Sequence, residues 1–77
     1  MRSSVAKHFG EAIEESRKAC AITQEELAAR AGLHRTYISQ IERGKRQPTL
    51  ATIFELARAL GIRPSNLIES TERALSE

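Results

Sequence analysis

A connection of only three residues, Gly32–His34, joins two segments of this sequence that both carry strong helix signals. The first segment begins at Thr23, and Glu26 three residues later matches a capping box, in which each side chain accepts a hydrogen bond from the other residue's backbone N–H. It ends at Gly32, because glycine adopts the left-handed conformation that terminates helices at little steric cost. The second segment begins near Arg35. So short a turn, with glycine at its corner, predicts that the two helices cross steeply rather than lie antiparallel.

The rest of the sequence shows helical periodicity and no strand pattern. Thr49 is a candidate N-cap, and Pro64 suits the first turn of a last helix. We therefore predict an all-α, compact five-helix fold in a single domain over residues 1–77. The apolar periodicity places the helices over about 5–20, 24–31, 35–43, 49–60 and 64–74. We expect the buried stripe of the fourth helix to include Leu50 and part of Phe54, and the residues from Ser70 onward to fray.

Charge is distributed unevenly along the chain. The 77 residues include 12 basic and 10 acidic side chains, which gives a net charge of only +2. Between residues 34 and 46, however, Glu42 is the one acidic residue. The same segment contains the cations Arg35, Arg43, Lys45 and Arg46. A nearly neutral small protein with one basic segment has a sided electrostatic surface, which is compatible with nucleic-acid binding.

The composition argues against several other classes of protein. One cysteine and two histidines exclude an internal disulfide and a four-ligand structural zinc site. We expect Cys20 to be a buried, inert thiol. No apolar run approaches the roughly 18 residues of a membrane span, and the first residues lack a secretory signal. The sequence also has no nucleophile–base pair, metal cluster or glycine-rich phosphate loop. We therefore expect a cytoplasmic protein that is not an enzyme, with no membrane contact, cofactor or metal.

The third predicted helix has one polar face. Ile38 and Ile41 form its buried side, and small residues at Ala28 and Ala31 allow the second helix to approach closely. The side chains left exposed are Arg35, Thr36, Ser39, Gln40 and Arg43. This is the helix-turn-helix arrangement, in which the second helix enters the major groove of duplex DNA.

The segment TQEELAARAGLHRTYISQIERGKRQPTL, continued by ATIFELARALGIRPSNLI, resembles the Cro/repressor-type (XRE-type) helix-turn-helix family. The resemblance covers about Phe9 to Ile68 and implies a lambda-repressor-like DNA-binding domain. GLHRTYIS followed by ERG is further similar to the controller proteins of restriction–modification systems. One departure is Ala21, where family members commonly have glycine at the end of the first helix.

The resemblance implies a role for each matching position. It places Arg35, Thr36 and Gln40 at base edges, and arginine and glutamine can each form the two hydrogen bonds that read guanine and adenine, respectively. It implies that Gln24 anchors a phosphate and braces the recognition helix. The other positions implied to contact the DNA backbone or its shape are Tyr37, Ser39, Arg43, Lys45 and Arg46. Arg17 and Glu42 match a structural ion pair between the first helix and the end of the third.

These observations predict a sequence-specific double-stranded DNA-binding transcriptional regulator. One recognition helix reads too few base pairs to be selective, so we expect a homodimer on palindromic operators. Leu67 and Ile68 are the predicted dimer interface, because so short a chain cannot bury them all internally. No small-molecule effector is expected. Two alternatives are an antitoxin that represses its own operon and a purely protein-binding helical module, for which the cationic Arg35–Arg46 face would be unusual.

Overall fold

The computed structural model describes residues 2–77 and consists of five α-helices. In chain order they are α1 (Arg2–Ala19), α2 (Gln24–Ala31), α3 (Arg35–Glu42), α4 (Leu50–Leu60) and α5 (Pro64–Ser76). The part of the chain that the structure describes contains no strand. The prediction of an all-α, five-helix fold is confirmed.

Local side-chain signals set the ends of α2. The Thr23 hydroxyl accepts a hydrogen bond from the Glu26 N–H at 3.1 Å, and the Glu26 carboxylate accepts one from the Thr23 N–H at 2.8 Å. This reciprocal pair holds the pKa of Glu26 below its ordinary value, because the hydrogen bonds favour the ionised carboxylate. At the other end, Gly32 is left-handed with φ 69°. The capping box and the glycine stop are therefore present as the sequence indicates.

The helices pack around one apolar core. α1 lies against α3 and α5, α2 lies against α3 and α4, and α4 lies against α5. The largest fully buried side chains are Ile13, Leu27, Ile38, Ile41, Leu56 and Leu67. Leu67 is thus only 1% exposed, and its assignment to an exposed dimer interface is wrong, because it belongs to the core of one chain and lies on α5, which packs against α1 and α4. Its neighbour Ile68 is 47% exposed.

Two glycines allow α1 to lie directly against the end of α3. A Cβ at Gly10 would overlap the carbonyl oxygen of Ile41 and lie 2.8 Å from that of Glu42. Gly44, in the turn after α3, is left-handed with φ 73°, and a Cβ there would lie 2.9 Å from the Cα of Lys7. Since these neighbours are backbone atoms that cannot move aside easily, both positions require glycine.

The helices differ from the sequence expectations at several places. α1 begins at Arg2, and α5 continues to Ser76 instead of fraying from Ser70. The reason is that the second half of α5 is packed: Thr71 is buried, and its hydroxyl donates to the Leu67 carbonyl at 2.8 Å.

Three apolar or thiol side chains are more exposed than expected. Leu50 is 68% and Phe54 is 56% exposed, because the buried stripe of α4 is formed by Leu56, Ala57, Ala59 and Leu60. Leu50 and Phe54 are four residues apart and lie in one row outside that stripe. Cys20 is exposed as well, since it follows the last residue of α1.

The turn after α1 holds a strained residue. Ala21 has φ 59°, a left-handed conformation that costs a residue with a Cβ roughly 1–2 kcal/mol. This is the position where family members commonly have glycine.

We expect Ala21→Gly to stabilise the protein by about 0.5–1 kcal/mol, because relief of the strain outweighs the greater backbone entropy of glycine when unfolded. Ala29→Gly is the matched control. Ala29 is exposed inside α2, so the same change there should destabilise by about 0.5–1 kcal/mol. Urea unfolding measures both. Destabilisation by both substitutions would contradict the strain at Ala21.

Candidate nucleic-acid interface

α3 is apolar on its inner side and polar on its outer side. Ile38 and Ile41 are fully buried, whereas Arg35 and Thr36 are exposed and Gln40 is half-buried. The positions 35, 36, 39, 40 and 43 recur at helical spacing, so the structure places the three predicted base-contact residues on one face. That face is free of other parts of the chain at its first turn.

The first turn of α3 is fixed by His34. Its Nδ1 atom accepts a hydrogen bond from the Thr36 N–H at 3.2 Å, which makes His34 the N-cap. This contact requires the neutral ring with its proton on Nε2. The cap orders the turn that carries Arg35 and Thr36.

The end of α3 is held by one buried carboxylate. Glu42 is 7% exposed and accepts hydrogen bonds from Arg17 Nε at 2.7 Å, Arg17 Nη2 at 3.1 Å and Gln24 Nε2 at 2.9 Å. Arg17 Nη1 also donates to the Ile22 carbonyl at 2.9 Å. We call Arg17, Gln24 and Glu42 the Glu42 cluster. It joins α1, the start of α2 and the end of α3, so the position of α3 is fixed at both of its ends.

The Glu42 cluster is electrostatically matched. The hydrogen bond to Glu42 raises the pKa of Arg17 above its ordinary value, because it favours the charged guanidinium. Throughout residues 4–77, where side chains are described, every buried side-chain nitrogen or oxygen has a hydrogen-bond partner. Gln24, predicted to brace the recognition helix, contacts it through this carboxylate.

Polar groups also lie beyond both ends of α3. At its start, a shallow depression lined by Arg17, Thr23, Gln24, Glu25 and Arg35 separates it from the first turn of α2. At its end, Arg43, Lys45 and Arg46 are all exposed. We call these three residues the basic loop. The eight residues of α3 span about 12 Å, which separates the two groups by roughly the width of a major groove.

Tyr37 connects α3 to the basic loop. The Arg46 guanidinium lies over the Tyr37 ring, 5.0 Å from its centroid, and Tyr37 packs against the core. Such a cation–π contact restricts Arg46 to one region of the surface. Both residues are predicted at the interface from the sequence, but their mutual contact is not. Gly44 is left-handed and lies between them in the turn after α3, so the helical periodicity that places Tyr37 does not extend to Arg46.

Other kinds of site have little support in residues 2–77. No group of three or more histidine, cysteine or acidic side chains there is arranged to hold a metal ion. Within the same residues, no helix combines the length and apolar character needed to cross a membrane.

The short turn between α2 and α3, and the polar outer face of α3, define a protein of the helix-turn-helix class. The profile of the helix-turn-helix family matches residues 13–67, and the chain belongs to this family in its Cro/repressor (XRE) type. The control protein C.BamHI of Bacillus amyloliquefaciens is 39% identical over 72 residues, which cover 92% of this chain and 89% of that protein.

Solved structures agree with this assignment. The restriction-modification controller protein C.AhdI of Aeromonas hydrophila is 42% identical with a TM-score of 0.79, over 80% of this chain and 94% of that one. The controller C.Esp1396I, solved as a tetramer on its natural 35 base-pair operator, is 27% identical with a TM-score of 0.85, over 95% and 96%. The predicted family is therefore confirmed, and its members are DNA-binding transcriptional regulators rather than a class of enzymes.

We expect Glu42→Ala to destabilise the fold by about 3–5 kcal/mol, because it leaves the Arg17 guanidinium partly buried without a counter-charge. Glu14→Ala is the matched control: Glu14 forms an exposed pair with Lys18 at 3.3 Å and should cost less than about 1 kcal/mol. Chemical denaturation measures both.

A double variant, Arg17→Met with Glu42→Leu, should recover most of the loss, since it removes both buried charges together. Equal effects of Glu42→Ala and Glu14→Ala would show that the Glu42 cluster does not stabilise the helix packing.

Proposed function

We propose that this chain is a sequence-specific double-stranded DNA-binding transcriptional regulator that acts as a homodimer on palindromic operators, and that it controls a restriction–modification system. The observation that carries the proposal is the exposed polar face of α3, which lies between two groups of phosphate-binding candidates. The controller relatives support the second half of the proposal. The protein would act in the cytoplasm by binding alone, without catalysis, cofactor, metal or small-molecule effector.

Base reading is assigned to the outer face of α3. Arg35 can donate two hydrogen bonds to the O6 and N7 acceptors of guanine, and Gln40 can pair in the same two-point manner with adenine. Thr36 can contact a thymine methyl group or a phosphate. Arg35 and Thr36 lie on the turn that His34 caps, so their backbone needs no ordering when DNA binds.

Phosphate binding is assigned to both ends of α3. Gln24 at the start of α2 would anchor one strand, and the basic loop would anchor the other. Tyr37 and Ser39 would contact the backbone or sense its shape. Tyr37 also holds Arg46 in place through the cation–π contact. Contacts of this kind set register and salt dependence, whereas the α3 face sets sequence preference.

Dimerisation is assigned to the apolar side chains that α4 and α5 leave exposed. These are Leu50, Phe54, Ile68 and Leu75. Four large apolar residues exposed on two adjacent helices favour an interface with a second copy. A two-fold dimer would present two α3 helices about one helical turn of DNA apart, which matches palindromic half-sites.

The alternatives have less support. Nothing in the fold or in the relatives described above favours an antitoxin. A purely protein-binding module would not account for a basic loop next to a polar helix face.

Selection of bound duplexes from a random pool tests the proposal. We expect a palindromic consensus for the wild-type protein. Arg35→Ala should lose preference at one base position of each half-site and about 1–3 kcal/mol of specific affinity, because one bidentate pair is removed. An equal loss of affinity for all duplexes would instead make Arg35 a phosphate contact, and the absence of any consensus would refute sequence-specific recognition.

Ile68→Glu tests the dimer. A carboxylate at an apolar interface would have to be buried, so we expect the dimer dissociation constant to rise at least about tenfold, or 1.4 kcal/mol. Ser70→Glu is the control, because it adds the same charge two residues further along α5, on a different side of the helix. Analytical ultracentrifugation measures both variants. A dimer that survives Ile68→Glu unchanged would place the interface elsewhere.

A further inference from the structure

The fold brings a lysine from the start of the chain next to the basic loop. Lys7 and Gly10 are three residues apart in α1 and lie on one side of it. Gly10 contacts the last carbonyls of α3, and the backbone of Lys7 lies against Gly44 in the turn that follows. The ideal Cβ position of Gly44 is 2.9 Å from the Cα and 3.4 Å from the Cβ of Lys7. The Lys7 side chain therefore starts beside the turn that carries Arg43, Lys45 and Arg46.

The Lys7 ammonium has no carboxylate partner in the part of the chain that the structure describes. The two nearest acidic residues that follow it in α1 are already engaged: Glu11 contacts His8 at 3.1 Å, and Glu14 contacts Lys18 at 3.3 Å. Lys7 itself is exposed. Its flexible four-carbon stem lets the ammonium approach the basic loop without strain.

We propose that Lys7 binds a phosphate of the DNA backbone together with the basic loop, as a fourth cation of one cluster formed by α1 and the turn after α3. The proposal rests on the proposed DNA-binding function and adds a residue from outside the helix-turn-helix unit. Four cations on one surface, with no carboxylate paired to Lys7, attract a polyanion more strongly than the net charge of +2 suggests. Since a lysine ammonium is a point charge without base-edge geometry, Lys7 contributes affinity equally on all sequences.

A structural role for Lys7 predicts something different. A cation near the C-terminus of a helix can stabilise its last carbonyls, and Lys7 lies close to that end of α3. Its ammonium, however, donates no hydrogen bond to an α3 carbonyl within residues 2–77. A structural role would lower the stability of the free protein, whereas a phosphate contact changes the salt dependence of DNA binding.

The test compares wild type with Lys7→Gln, Lys45→Gln and Lys18→Gln. Lys18 is the matched control, because it is exposed near the other end of α1 and is paired with Glu14. Fluorescence anisotropy measures binding to a random-sequence duplex over a series of NaCl concentrations, and thermal melting measures each free protein. One lost phosphate contact lowers the slope of log K against log salt by about 0.9 per subunit.

We expect that loss of slope for Lys7→Gln and for Lys45→Gln, with an unchanged slope for Lys18→Gln and unchanged melting for Lys7→Gln. A wild-type slope for Lys7→Gln would overturn the proposal. If that unchanged slope came with a lower melting temperature, Lys7 would instead have the structural role of stabilising the last carbonyls of α3. An equal loss in Lys18→Gln would overturn it too, as an effect of net charge alone. If the wild-type protein itself binds no duplex, the proposed function fails first.

Discussion

A single buried carboxylate determines how this chain presents its recognition helix. Glu42 ends α3 inside the protein, where an unpaired charge would be strongly unfavourable. Arg17 from α1 and Gln24 from α2 supply its hydrogen bonds, so three helices are held in one arrangement. The same Gln24 stands at the edge of the candidate DNA surface. Gln24 therefore both stabilises the fold through Glu42 and lies where it would contact the phosphate backbone.

The remaining features indicate that affinity for DNA and selectivity for its sequence come from different groups of residues. Cations of the basic loop lie beyond the end of α3, where they would contact any duplex. The candidate base-reading side chains Arg35, Thr36 and Gln40 lie on the helix itself, where base edges would be within reach. His34 orders the base-reading residues by capping the first turn of α3. Tyr37 restrains the basic loop through its cation–π contact with Arg46. Binding would therefore require little further ordering of the protein.

Sequence reasoning succeeded where the signal was local. Thr23 with Glu26 and the glycine at position 32 define α2 through contacts a few residues apart, and the structure shows both. The predictions of which side chains are exposed were wrong for Leu50, Phe54 and Leu67. Periodicity identifies an apolar face without showing which part of that face a distant helix covers. The contact between Lys7 and the turn at Gly44 joins residues 37 positions apart, and no short-range pattern reports such a contact. The base and phosphate contacts stay predictions.

We propose that α3 enters the major groove with its outer face towards the bases. Dimethyl sulfate interference on a selected duplex tests it most directly, because the reagent methylates guanine N7 in the major groove and adenine N3 in the minor groove. We predict that methylation at guanine N7 within each half-site prevents binding, while methylation at adenine N3 in the same half-sites has little effect. Interference confined to adenine N3 would place the protein in the minor groove and contradict the entry of α3 into the major groove.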